Sequence, residues 1–162
     1  MKRIWAPWRL EYIKGKKEKG CIFCACPKKK NAKQALVLAK NPLTYVILNK
    51  YPYTNGHLMV VPYRHIDKIE DLTSEEGLEI FNVVQEVSRI LKKVFHPQGF
   101  NVGMNVGKAA GAGIESHLHM HVVPRWRGDH NFMPAVGSVK VMPISLEKTY
   151  QLLAPYFLTS KK

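Results

Sequence analysis

His117, His119 and His121 occupy every second position of the run ESHLHMHVVPRW, alternating with Leu118, Met120 and Val122. A strand sends successive side chains to opposite faces, so this spacing predicts three imidazoles on one face, ~7 Å apart, with the apolar residues packed inward. Imidazoles gathered in this way can bind an anion, ligate a metal or move a proton. Burying them without partners would be costly, which makes an accidental cluster on a half-buried strand rare.

Just upstream, Gly107-Lys108-Ala109-Ala110-Gly111-Ala112-Gly113 is a loop of small residues whose backbone N–H groups can approach a phosphate closely. It lacks the GxxxxGK[ST] pattern of a P-loop and taken alone reads equally as a connector; its place beside the histidines favours an anion cradle. Cys21-Ile22-Phe23-Cys24 has the spacing that lets two thiolates reach one zinc ion, yet supplies half of a tetrahedral site. Redox activity and a simple pair of reduced thiols are open readings of the same pair, and Cys26 adds a competing ligand. In NKYPYTNGHLMVVPYRH the polar points are Asn49, His57 and His65. The even separation of the two histidines allows both to lie on one side of an extended segment, although Pro62 interrupts the ladder. Taken alone, each reads as a surface or structural residue.

Residues 1–35, with Trp5, Trp8, the basic stretch Lys14 to Lys19 and all three cysteines, show no sustained period and need a staple to be ordered. LVLA and TYVILN, separated by Lys40-Asn41-Pro42, read as a hairpin, and a third strand, His57 to Val61, follows the Tyr53-Thr54-Asn55-Gly56 turn. Thr73 with Glu76 has the form of a capping box. Beyond it Ile80, Phe81, Val84, Val87, Leu91 and Val94 recur at helical spacing, predicting one long amphipathic helix that ends at His96-Pro97-Gln98-Gly99. FNVGMNV reads as a strand, and SLEKTYQLLAPYFL as a short terminal helix carried by Leu146, Tyr150 and Leu153. Hairpin-length connections and one long helix favour an antiparallel α+β domain over a doubly wound parallel sheet.

A chain of 162 residues that is 46% hydrophobic is long enough for one packed core, so a single domain is expected. No apolar run approaches the ~20 residues of a membrane span, and MKRIWAPWRLEY lacks the continuous apolar stretch of a signal peptide; a soluble cytoplasmic protein is expected. The formal charge of +13 favours phosphorylated or polyanionic partners without choosing nucleotide over nucleic acid. Six of the 25 basic residues are arginines, the type suited to bidentate phosphate recognition. Lys14 to Lys19 and Lys28 to Lys30 lack interleaved aromatics, so they read as solvated surface, and nucleic acid is not favoured.

HLHMHVV matches the alternating signature of the histidine triad (HIT) family of nucleotide hydrolases and transferases, and residues 21 to 124 resemble that family in the right order. NKYPYTNGHLMVVPYRH resembles its ribose-binding strand pair, GFNVGMNVG a sheet strand, and AGAGIESHLHMHVVPR its phosphate loop and active-site strand. IWAPWRLEYI and PRWRGDHNFMP resemble the diadenosine tetraphosphate phosphorylase and fragile-histidine-triad branch. The resemblance implies a HIT-like α+β fold of about five antiparallel strands, one long helix and a short C-terminal helix. It also implies a single HIT domain over 1–162, with a zinc-stapled region at 1–35, a C-terminal extension at 126–162, and a homodimer.

By the same resemblance His119 is the nucleophile, attacking the α-phosphorus of a dinucleoside polyphosphate to give a nucleotidyl-histidine intermediate that phosphate or water then accepts. Such a nucleophile requires a neutral imidazole held in one tautomer, a task usually filled in the family by a backbone carbonyl of the same strand. His121 and His57 would contact phosphate and bridging oxygens, Asn49 the ribose, and Asn105 the phosphate group. Amides from Gly111 to Gly113 would complete the cradle, each donor worth ~3 to 4 kcal/mol. Gly113 stands where the family often has Ser or Gln, with Ser116 as a substitute, and Lys108 either neutralises a polyphosphate or faces solvent. Cys21, Cys24, His65 and His117 would form a closed structural zinc site, with no organic cofactor. Two alternatives are a nucleoside phosphoramidase of the histidine triad nucleotide-binding branch and a non-catalytic zinc-stabilised nucleotide or nucleic-acid binding module. Members of the first usually end soon after the triad, whereas 41 residues (162 − 121) follow His121 here.

Overall fold

β-branched and aromatic residues dominate the runs that become strands, and turn-forming residues separate them. The computed structural model describes residues 20–129 and 142–159. Its strands are β1 (Val37–Lys40), β2 (Thr44–Leu48), β3 (Leu58–Pro62), β4 (Gly99–Gly103) and β5 (Met120–Arg125). They form one sheet in the order β1-β2-β3-β5-β4, with every pairing antiparallel. The expected five-stranded antiparallel α+β fold is therefore observed. IWAPWRLEYI, Lys14 to Lys19 and residues 130–134 of PRWRGDHNFMP lie outside the described residues.

Period-2 alternation divides the central strands between two cores. Val46, Leu48, Leu58, Val60, Met120 and Val122 face a core completed by the helices α3 (Ser74–Phe95) and α4 (Leu146–Thr159). Tyr45, Ile47, Met59 and Val61 face the opposite way, onto Phe23 and Ala35 of the N-terminal segment. Leu118, Met120 and Val122 are buried as expected, so the intervening histidines look towards the N-terminal segment.

Helix α3 begins as its sequence requires: the Thr73 hydroxyl accepts from the Glu76 N–H, and the Glu76 carboxylate accepts from the Thr73 N–H. It ends at His96, which adopts left-handed backbone angles (φ 49°). Its buried stripe is Ile80, Val83, Val84, Val87, Ile90 and Leu91. Phe81, expected within that stripe, is 60% exposed, because it follows Ile80 and so lies about 100° further round the helix. Helix α4 runs for 14 residues through Pro155. It buries Leu153 and Phe157, and the Tyr150 hydroxyl donates to the Val37 carbonyl at 3.0 Å.

Three local boundaries differ from expectation. The stretch read as irregular contains two single helical turns, α1 (Ile22–Ala25) and α2 (Ala32–Ala35), too short to leave a period. β4 ends at Gly103, before Met104 to Val106. β5 begins at Met120, so His117 and His119 precede the ladder. Pro62, which would pair next to Leu118, has no N–H to donate, and the Leu118 N–H bonds instead to the Ile66 carbonyl at 2.7 Å.

Candidate active site

Three imidazoles, from β5, from the segment just before it and from the β2–β3 connection, form a connected set whose tautomers follow from their partners. The backbone N–H of Tyr53 can only donate, and it lies 3.1 Å from His57 Nδ1, so that nitrogen is the acceptor and the His57 proton sits on Nε2. His57 Nε2 lies 2.9 Å from His121 Nδ1, making the latter an acceptor and placing the His121 proton on Nε2. His119 Nδ1 lies 2.8 Å from the His117 carbonyl, which can only accept, so Nδ1 carries the proton and Nε2 keeps its lone pair. The rings of His119 and His121 meet edge to face at 4.8 Å. The set therefore offers an unprotonated nitrogen from His119 beside an N–H donor from His121.

Burial favours the neutral form of His119 and His121. His57 is fully buried and His119 is 5% exposed. Desolvation lowers the pKa of His119, while its bond to the His117 carbonyl works in the opposite sense. Burial, then the neighbouring His119, pushes His121 down to about 4. At neutral pH His119 is thus a neutral imidazole rather than an imidazolium, the form able to act as a base or nucleophile.

The remaining expected substrate residues differ in burial and in the contacts they make. Asn49 has its side-chain amide nitrogen 3.4 Å from His57 Nδ1, while its carbonyl oxygen accepts from the Tyr51 N–H at 2.9 Å. Asn105 is half-buried just past β4. Lys108 opens a 3₁₀ turn, Lys108–Ala110, and is exposed, as are Gly111, Gly113 and Ser116. In this conformation the Gly111 N–H closes the turn on the Lys108 carbonyl at 3.0 Å.

Cys21, Cys24, His65 and His117 offer four ligand atoms within 4.8 Å of one another. Sγ of Cys21 and of Cys24 lie 3.3 and 3.6 Å from His117 Nδ1, and His65 Nδ1 lies 3.4 Å from Cys24 Sγ and 3.3 Å from His117 Nδ1. A tetrahedral ion bound at ordinary Zn–N and Zn–S lengths requires edges of about 3.3 to 3.8 Å, a range that includes these four distances, whereas the overall spread of 4.8 Å is wider. The tautomer also fits, since His117 Nε2 donates to the Pro62 carbonyl at 2.9 Å and leaves Nδ1 as a lone pair aimed at the cluster. The cluster could hold a metal ion. His57 and His65, equally spaced candidates in the sequence, thus join two different centres.

Sequence reasoning missed several contributors. Phe23, inside the CxxC spacing, packs against the rings of His117 (5.6 Å) and His119 (4.9 Å), and its carbonyl accepts from the fully buried Tyr45 hydroxyl at 2.7 Å. The carbonyl of Pro62 and the amide of Tyr53 also set tautomers, yet backbone groups carry no residue-type signal; for His119 the resemblance implied a backbone carbonyl, and it is that of His117.

An antiparallel sheet that presents a neutral histidine with a free Nε2, backed by two further imidazoles, defines an α+β domain built for chemistry at histidine. Residues 30–128 match the HIT domain family, and the chain belongs to that family. It is 42% identical to an AP-4-A phosphorylase of Mycobacterium tuberculosis (strain CDC 1551 / Oshkosh), over 95% of this chain and 83% of that protein. It is 31% identical to the asymmetrical bis(5'-nucleosyl)-tetraphosphatase of Schizosaccharomyces pombe, over 78% of this chain and 65% of that protein. The crystal structure of a Zn-bound histidine triad family protein from Mycobacterium smegmatis superposes with a TM-score of 0.69 at 29% identity, covering 88% of this chain and 98% of the other.

Proposed function

We propose that the protein cleaves dinucleoside polyphosphates of the diadenosine tetraphosphate type through a covalent intermediate on His119. The observation that carries this reading is the 2.8 Å bond between His119 Nδ1 and the His117 carbonyl, which leaves Nε2 as a nucleophile. His119 Nε2 attacks the α-phosphorus, forming an N–P bond as the P–O bond to the leaving nucleotide breaks. The Nε2–H of His121, fixed by His57, is a neutral donor for the oxygen on which charge develops. Asn49, Asn105 and the Gly111 to Gly113 amides are assigned to ribose and phosphate binding, the Gly111 N–H exchanging its bond to the Lys108 carbonyl for the phosphate, with Ser116 and Lys108 as polar contacts at the loop. Phosphate attack on the intermediate gives ADP and ATP from diadenosine tetraphosphate, and water gives AMP and ATP. The similarity to an AP-4-A phosphorylase supports phosphate as the acceptor.

We assign zinc to the Cys21, Cys24, His65 and His117 cluster, as a closed four-ligand site that joins the N-terminal segment to the β5 strand and leaves no open position for substrate. Two thiols held for a metal suit the reducing cytoplasm. A homodimer formed on the exposed β4 side of the sheet accords with the edge position of that strand and the exposed Val102 and Val106. Among the described residues no helix is long and apolar enough to cross a membrane.

The test is incubation with diadenosine tetraphosphate, with and without inorganic phosphate, followed by separation of AMP, ADP and ATP. Phosphate-dependent ADP is expected. Absence of cleavage under both conditions would overturn the reading.

A further inference from the structure

We propose that Tyr53 is the positioning residue that fixes the His57–His121 pair, acting through both its main chain and its ring. The proposal rests on the reading of His121 as a donor to the reacting phosphate. The Tyr53 N–H donates to His57 Nδ1 at 3.1 Å, and the Tyr53 ring stacks on the same imidazole at 4.8 Å with 28° between planes. The ring also reaches His121, with centroids 6.1 Å apart.

Both contacts are needed for one outcome. The final torsion of a histidine is broad, so a hydrogen bond at one nitrogen leaves the ring free to swing about that contact. A stacked aromatic face restricts the plane and so keeps His57 Nε2–H aimed at His121 Nδ1. Should His57 rotate away, His121 Nδ1 loses its donor, and the proton on the far nitrogen is no longer specified.

The connection that carries Tyr53 is tied down on both sides. Before it, the Asn49 side chain accepts from the Tyr51 N–H at 2.9 Å. After it, the Thr54 hydroxyl donates to the Pro124 carbonyl at 3.0 Å, on the strand that also bears His121. Asn55 donates to the Ile144 carbonyl at 2.6 Å, and the His57 N–H closes back on the Thr54 carbonyl at 3.2 Å. Tyr53 is 50% exposed, far more than a core residue, so packing of the fold is not its main task. Stacking uses the ring face, which phenylalanine retains.

Comparison of Tyr53→Phe, Tyr53→Leu and Tyr53→Ala, by steady-state kinetics with diadenosine tetraphosphate and by ¹⁵N NMR of the imidazoles, tests the assignment. Tyr53→Phe is expected to keep kcat, whereas Leu and Ala lower it roughly 10-fold to 100-fold with little change in KM. In the same two variants the Nε2–H signature of His121 should give way to a mixture of tautomers. Wild-type kcat and tautomers in folded Leu or Ala variants would overturn the proposal, as would a loss confined to KM, which marks a substrate contact. The NMR readout needs no turnover, so failure of the wild-type protein to cleave the substrate would count against the proposed activity and leave the positioning claim separately decided. If Tyr53→Ala does not fold, the Phe and Leu pair supplies the comparison.

Discussion

His117 and His119 are joined by a 2.8 Å hydrogen bond from the ring of one to the carbonyl of the other, while the His117 ring itself turns to the Cys21, Cys24 and His65 cluster. One residue therefore serves two centres with different atoms. Its ring belongs to the candidate metal site, and its main chain fixes the tautomer of the candidate nucleophile.

His117→Ala separates these tasks, because it removes the ring and retains the carbonyl. Bound metal after exhaustive dialysis should fall well below one per chain, and stability should drop by about 2 kcal/mol or more. Turnover should fall less than in His119→Ala, which loses nearly all of it. Metal analysis, denaturant unfolding and rate measurements on the two variants check the ordering, and equal turnover in both would contradict it.

His57→Ala removes the donor that fixes His121 while leaving the His119 nucleophile in place. We expect kcat to fall roughly 100-fold, within the range for loss of a proton-transfer partner. Substrate affinity should change much less, since His57 is fully buried with Nε2 turned to His121 and so acts through His121, in place of the phosphate and bridging-oxygen contact that the resemblance implied. Equilibrium binding of a non-hydrolysable analogue, measured beside kcat, separates the two.

Acid should weaken the fold through His121, which is flanked by His57, His119 and the Tyr53 ring and whose pKa burial lowers to about 4. The unfolded imidazole takes up a proton near pH 6.5, and the folded one resists until about 4. A depressed histidine pKa means that the folded state binds fewer protons, so stability is fullest above pH 6.5 and falls between these values. His121→Gln removes this titration and should show a smaller loss over the same interval in denaturant unfolding at stepped pH.

The fold was more legible than the machinery of the site, for a physical reason. Thr73 and Glu76 announce the start of α3 because a cap needs particular side chains at fixed spacing, and the alternation of histidines with Leu118, Met120 and Val122 announces the faces of the β5 segment, whereas β3 is buried on both faces and its sequence does not alternate. Of the boundaries that differed, the helical turns α1 and α2 are too short to leave a period, while the start of β5 depends on a partner distant in sequence, because Pro62 on another strand lacks a donor. The alternating histidines were visible as chemistry, but what distinguishes them is the carbonyl of His117, the carbonyl of Pro62 and the amide of Tyr53. Every residue carries such backbone groups, so no composition or spacing marks the ones that matter. Resemblance to a known family assigned His117 and His119 different roles, and their different backbone bonds are a physical basis for telling them apart.

Glu76→Gln tests the junction between the cap and the segment that carries His65. The Glu76 carboxylate accepts from Arg64 Nε and Nη2 at 2.8 and 2.7 Å and from the Thr73 N–H at 3.0 Å, and Arg64 also donates to the Asp71 carbonyl. These Arg64 bonds hold the Glu76 pKa below the ordinary carboxyl value. A depressed carboxyl pKa contributes stability above the unfolded value and loses it as pH falls through the folded one. The substitution should destabilise by about 1 to 2 kcal/mol at pH 7, with the gap to wild type narrowing below pH ~4.

Gly56→Ala strains the turn that orients the active-site connection. Gly56 has φ +77°, and a Cβ there would lie 3.1 Å from both Leu91 and Phe95 side-chain carbons. The backbone conformation alone should cost about 1 to 2 kcal/mol, with crowding against α3 adding to it. Relief of that crowding moves the turn away from the helix, and the residues on either side of Gly56 are Asn55, anchored to Ile144, and His57, whose ring fixes His121. Turnover should therefore fall further than in Ile80→Val, a core variant expected to lose a similar stability within α3 and away from the connection. Kinetics on the two variants, at a temperature where both are fully folded, distinguish displacement of His57 from a general loss of stability.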